Sequence, residues 1–145
     1  MNRRAHLGRD RGSMTVESAI LAVAFVLLLG TVIGVGRVGL ARNTIDQVAH
    51  DAARIASIAR TGQQASLDAH TAAAESITDQ DLACSPLTVD VDTAGFASPA
   101  GTPAQVDVVV TCAVPLADLL LPFAPGTVTL TATASRAIDT YRERS

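Results

Sequence analysis

At 145 residues the chain has room for one small domain beside an apolar anchor, and its 48% hydrophobic content is inflated by that apolar run and by many alanines. Aromatic residues make up only 3% and tryptophan is absent, which argues against stacking platforms for bases or sugars. The formal net charge is −3 and every cation is an arginine; Arg3, Arg4, Arg9 and Arg11 gather the basic excess at the start of the chain, a topology signal and no nucleic-acid footprint.

Residues 1–12 read as a basic leader. Ser18 to Gly36 then supplies about nineteen uncharged residues, which at ~1.5 Å of helix rise reach ~28 Å, close to the ~30 Å hydrocarbon layer of a bilayer. Lipid offers no hydrogen-bond partners, so a helix is the one spanning form open to a single segment. Four arginines precede the span against Arg37 and Arg42 after it, which predicts a cytoplasmic N-terminus and an extracytoplasmic remainder. A cleaved secretory signal competes, since it shares the basic start and apolar core. The run is long for a signal, however, and residues 30–36 lack an Ala-x-Ala-like exit.

Glu17 is the residue a plain anchor does not explain. A carboxylate at the centre of a span costs roughly 2.5 to 3.5 kcal/mol, and less near an end. One reading makes it a first-turn acid favoured by the helix dipole, with Ser13 or Thr15 as cap. The other ties it to Gly12, five positions earlier.

From Arg37 to Arg60 the helix is predicted to continue out of the membrane. Ile45, Val48, Ala49, Ala52, Ile55, Ala56 and Ala59 recur at three- and four-residue intervals, a stripe of mostly small side chains suited to close packing against a partner helix or against the chain's own sheet. Thr61-Gly62 is the expected stop. A second helix over 63–79 has Leu67, Ala69, Ala72, Ala73 and Ile77 as its apolar positions.

After Asp81 the composition turns to Thr, Val, Pro and Gly. Leu87, Val89 and Val91 alternate with Thr88, Asp90 and Asp92; after a turn-rich stretch Val106, Val108, Val110, Cys112 and Val114 alternate with Asp107, Val109, Thr111 and Ala113; and near the end Val128, Leu130, Ala132 and Ala134 alternate with threonines. Between the last two strands lies PLADLLLPFAP, whose prolines oppose regular pairing. Three strands with one apolar face need a cover, and the upstream helices supply it. The expected class is α+β: a long N-terminal helix, a short second helix and a small, mostly antiparallel three-stranded sheet. The expected divisions are a leader over 1–12, a transmembrane helix over 13–37, a helical region over 38–80 and a β-rich domain over 81–145.

Cys84 and Cys112 can pair if the domain lies outside the cytoplasm, and closing a loop of roughly 28 residues would contribute ~3.5 kcal/mol on the chain-entropy model. Two unrelated buried thiols are the alternative. No metal site is expected, because His6, His50 and His70 share no ligand spacing with the cysteines. Asp90, Asp92 and Asp107 read as exposed strand faces without the EF-hand pattern. No phosphate loop or nucleophile motif is present, so neither an enzyme nor a cofactor is expected.

The basic leader, Gly12, then Ser13-Met14-Thr15-Val16-Glu17 and an apolar helix resemble the processing site of type IV prepilins. That resemblance implies cleavage between Gly12 and Ser13 by a membrane prepilin peptidase. It also implies that Glu17, fifth in the mature chain, meets the new amino terminus of a neighbouring subunit, two groups expensive in lipid becoming cheaper as a pair. The wider layout resembles TadE-like minor pilins or pseudopilins of the tight-adherence (Tad/Flp) system. It rests on R-G-S-M-T-V-E, on G-R-V-G-L-A-R, on Ala52-Ala53-Arg54, and on the closing strand, Pro/Leu crossover and Thr-rich strand up to Arg136. Ser18 departs from the aromatic or larger apolar residue common after the glutamate.

The resemblance implies a structural subunit held in the cytoplasmic membrane and passing into a surface pilus. Its partners would be the peptidase, other pilin subunits and the Tad assembly machinery, with no nucleic acid and no small-molecule substrate. An anchored extracytoplasmic binding or secretion-accessory protein that does not polymerise is the alternative.

Overall fold

The computed structural model describes residues 11–119 and 125–141, with side chains from Met14 onward. Arg3, Arg4 and Arg9 of the leader and residues 120–124 of the crossover lie outside the described residues.

One helix, α1 (Arg11–Ile58), runs unbroken for 48 residues. No proline occurs before Pro86, so nothing in this stretch removes an intrahelical N–H. Residues 14–33 are exposed on all sides and Gly34 is buried, whereas in the second half Ala41, Ile45, Val48, Ala49, Ala52, Ala53, Ala56 and Ala59 are buried. The expected continuation past Arg37 is therefore observed, with Ala41 and Ala53 added to the stripe and Ile55 only partly covered.

The helix tightens at its end, where the Ala59 N–H donates to the Ala56 carbonyl at 3.2 Å. Thr61-Gly62, expected as a stop, instead starts α2 (Gly62–Asp79). Thr61 is extended and its Oγ1 accepts from the Gln64 N–H at 3.1 Å, a Ser/Thr-type N-cap. Glycine serves at 62 through space rather than conformation, since a Cβ there would sit 2.9 Å from Cβ of Thr93. The buried stripe of α2 is Ala65, Ala69, Ala73 and Ile77, a strict four-residue repeat. Leu67, expected to be apolar core, points to solvent at 62% exposure because it lies two positions off that stripe.

The strands β1 (Leu87–Asp92), β2 (Ala104–Pro115) and β3 (Thr127–Ile138) form an antiparallel sheet in the order β1-β2-β3. Register aligns Leu87, Cys112 and Leu130 across one rung, Val89, Val110 and Ala132 across the next, and Val91, Val108 and Ala134 across a third. Every one of these side chains faces the helices. Helix α1 packs on β2 and β3, and α2 on β1 and α1. Alanine at 132 and 134 meets the alanine stripe of α1, so small side chains on both surfaces let the rod lie close to the sheet.

Two further turns interrupt the loops. A 3₁₀ turn over Ala94–Ala97 buries Phe96, and Gly95 is required there because a Cβ would fall 2.2 Å from the Gln105 carbonyl oxygen. The crossover opens with a short helix, α3 (Leu116–Leu119), which buries Leu119. Pro115 still belongs to β2, opposite Thr127. Its nitrogen faces the β1 side, where β1 has not yet begun, so the proline costs no ladder bond.

Candidate assembly helix and processing site

The exposed half of α1 is the part of the molecule its own fold leaves unused. Its most apolar 18-residue window has a mean hydropathy of 2.6 and is long enough to cross a membrane. Val16, Ile20, Leu21, Val23, Phe25, Val26, Leu27 and Leu28 are each about three-fifths exposed, the reverse of a soluble core helix. Ser18 and Thr31 return their hydroxyls to the carbonyls of Met14 and Leu27, both at 2.8 Å, so neither leaves a free donor on the apolar surface.

Gly12 and Ser13 lie on the same helix, because the described helix already includes Arg11. That placement removes one explanation of Glu17. Ser13 and Thr15 lie within the helix, so neither occupies its N-cap position. Glu17 is exposed and lies more than one helical turn past Arg11, four positions after Ser13. A dipole contribution, which fades within the first turn, therefore accounts for little of its presence.

The glycines at 30, 36 and 39 form a second feature. A Cβ at any of them would meet nothing within 4 Å. Among the described residues no packing asks for glycine there, although each costs roughly 1 kcal/mol of helix propensity relative to alanine. They flatten the rod where the apolar segment ends.

At that level Arg37, the first cation after the span, donates from Nη1 to the Asp118 carbonyl at 3.4 Å and so touches α3. This contact was invisible in the sequence, where 81 positions separate the two residues.

Cys84 and Cys112 are joined by a disulfide that ties the segment before β1 to the buried face of β2. The sequence left that pairing open between a bridge and two separate thiols. Asp90 and Asp92 are exposed on the outer face of the sheet; Asp107, partly covered there, accepts a hydrogen bond from the Ser135 hydroxyl. His50 donates from Nδ1 to the Asp46 carbonyl at 2.8 Å, and both it and His70 are exposed. Among the described residues no three His, Cys, Asp or Glu side chains are grouped to hold a metal ion.

A continuous helix, bare at its N-terminal half and sunk into a small antiparallel head at the other, defines an α+β protein whose apolar helix fits a single-pass membrane anchor. More particularly, the family model of TadE-like proteins matches residues 12–54, a stretch that begins on Gly12, contains Glu17 and ends within the alanine stripe. The match agrees with the resemblance carried by R-G-S-M-T-V-E and Ala52-Ala53-Arg54. No curated protein and no solved structure matches the chain.

Proposed function

We propose that the protein is a minor pilin or pseudopilin, a structural subunit of a Tad-type pilus. A prepilin peptidase cuts between Gly12 and Ser13, and the mature chain assembles through α1. The observation that carries this reading is the bare half of α1, which holds a single acid, Glu17, five residues past Gly12 within the stretch matched by the TadE-like family. An anchor alone needs no acid in that position. A subunit whose neighbour presents a new amino terminus does, because in lipid an unpaired charge is costly and a well-placed pair is cheaper.

In this reading residues 1–12 stay in the cytoplasm, 13–37 cross the membrane, and 38–145 lie outside. The partners are the peptidase, neighbouring pilin subunits and the Tad assembly machinery. The glycines at 30, 36 and 39, which no packing among the described residues requires, suit close approach of a second helix.

N-terminal sequencing of the membrane-extracted protein tests the processing step. The expected first residue is Ser13; an intact Met1, or a new end between positions 30 and 36, rejects it. Cysteines substituted along positions 27–45 separate this subunit from a non-polymerising anchored accessory protein, because only packed subunits link helix to helix.

A further inference from the structure

The head and the apolar run of α1 overlap along the helix. Gly34 is buried, whereas its neighbours Ile33 and Val35 stand 57% and 67% exposed and Gly30, Gly36 and Gly39 are open, so the rest of the chain already covers one side of α1 nearly a turn before Arg37. Val38, half-buried, and Ala41 continue that side into the core. Away from it the exposed apolar surface does not stop at Arg37: Leu40 is 68% exposed, and the next large apolar side chain of α1 to be exposed is Ile58. For about two turns, from Gly34 to Leu40, α1 therefore carries the head on one side and bare apolar surface on the others.

The lengths fit a bilayer. Met14 to Gly34 covers ~30 Å at ~1.5 Å per residue, the hydrocarbon thickness, and the further steps to Leu40 add ~9 Å, against about 5 to 7 Å for one headgroup layer.

The head reaches that layer through its crossover end. Helix α3 packs on α1, the Arg37 Nη1 donates to the Asp118 carbonyl at 3.4 Å, and Leu116 closes over the turn at Gly126, where a Cβ would stand 3.3 Å from Leu116 Cδ1. A long cation at the edge of an apolar span reaches for polar partners. Here the partner is a backbone carbonyl of the head, which holds α3 at the same depth. Residues 115–119 and 125–128 contain one acid, Asp118, and no cation, so Arg37 leaves the charge at this end balanced.

We infer that the crossover end of the head, with α3, is a lipid-docking surface: it lies in the headgroup layer of the leaflet it faces and contacts the bilayer through apolar area, without selecting lipid charge. The inference rests on the reading of α1 as a membrane span. A head held clear of the bilayer would leave Leu40 in water, and one lying deeper would draw Arg37 and Asp118 into hydrocarbon, where each is expensive.

Depth-resolved fluorescence quenching on the full chain, reconstituted in phosphatidylcholine vesicles, tests the docking. With Cys84 and Cys112 joined, single cysteines introduced by Val26→Cys, Leu40→Cys, Gln105→Cys and Ala117→Cys take an environment-sensitive dye. Val26, Leu40 and Gln105 are exposed and Ala117 partly so. Dye at 40 and at 117 is expected to be quenched by lipids carrying a nitroxide at the headgroup and to lose quenching by aqueous iodide. Dye at 105, at the opposite end of β2, shows the reverse, and dye at 26 is quenched by lipids labelled deep in the acyl chain. Adding phosphatidylglycerol or raising the salt leaves the pattern at 40 and 117 unchanged. Free iodide quenching at 40 and 117, with 26 still quenched from the lipid, overturns the docking and leaves the anchor standing; loss of lipid quenching at 26 removes both. Shielding from iodide without lipid quenching, as a second copy on this end would give, also overturns it, as does lipid quenching at 117 that requires phosphatidylglycerol. Position 40 points away from the head's core, so its dye still decides the matter if Ala117→Cys unfolds the head.

Discussion

Glu17 condenses the functional argument into one side chain. It is exposed, lies beyond the reach of helix-end electrostatics, and follows Ser13 by four positions. If its role is to receive a neighbour's amine, Glu17→Ala leaves cleavage after Gly12 intact and blocks incorporation into the assembled fraction. Immunoblots of membrane and assembled fractions check this, and normal incorporation of the alanine variant removes the pairing role. The acid was legible in the sequence because a lone charge in an uncharged run is conspicuous. Its position in the helix was not, since the N-terminal limit of the helix depended on whether Ser13 or Thr15 broke the turn, and neither does.

At the scale of elements, α1 is two helices in composition and one in backbone. Its inner half presents branched and aromatic side chains outward on every side, and its outer half buries alanines against a sheet that answers with Ala132 and Ala134. Such close packing has no room to give. Ala52→Leu, at a position with no exposed surface, is expected to destabilise the head by about 1 to 3 kcal/mol through overpacking. A denaturant midpoint of the detergent-solubilised protein measures it, and an unchanged midpoint would mean the helix can shift on the sheet. The strands were readable from alternation alone, and their inner faces are as that pattern implied. The α2 stripe was readable in part: Ala69, Ala73 and Ile77 are buried as expected, whereas Leu67 faces solvent and Ala65, one turn before Ala69, went unnoticed. Ile138 was missed because Arg136 interrupts the alternation two residues before it.

At the scale of the molecule, a head built from alanine and valine lacks the large side chains that usually dominate burial. The disulfide between Cys84 and Cys112 compensates by linking the α2–β1 connection to the central strand. Removing it with Cys84→Ser is expected to cost about 2 to 5 kcal/mol. Thermal unfolding of oxidised variant and parent, each in detergent, tests this; equal midpoints would mean that the core alone sustains the fold. Arg37 sets where that head rests. Because the first charge past the span holds α3, the end of the sheet near Leu116 and Gly126 stands at the level where the apolar segment ends. Such long-range junctions leave no trace in local pattern, which is why the anchor and the strands could be read in advance and their mutual seating could not.

The unbroken course of α1 has a mechanical consequence. At ~1.5 Å per residue its 48 residues make a shaft of about 72 Å with no joint between bilayer and head. An axial pull or a torque applied at the bare apolar end is carried along one continuous backbone to the sheet, so a tilt at that end becomes a displacement of the head.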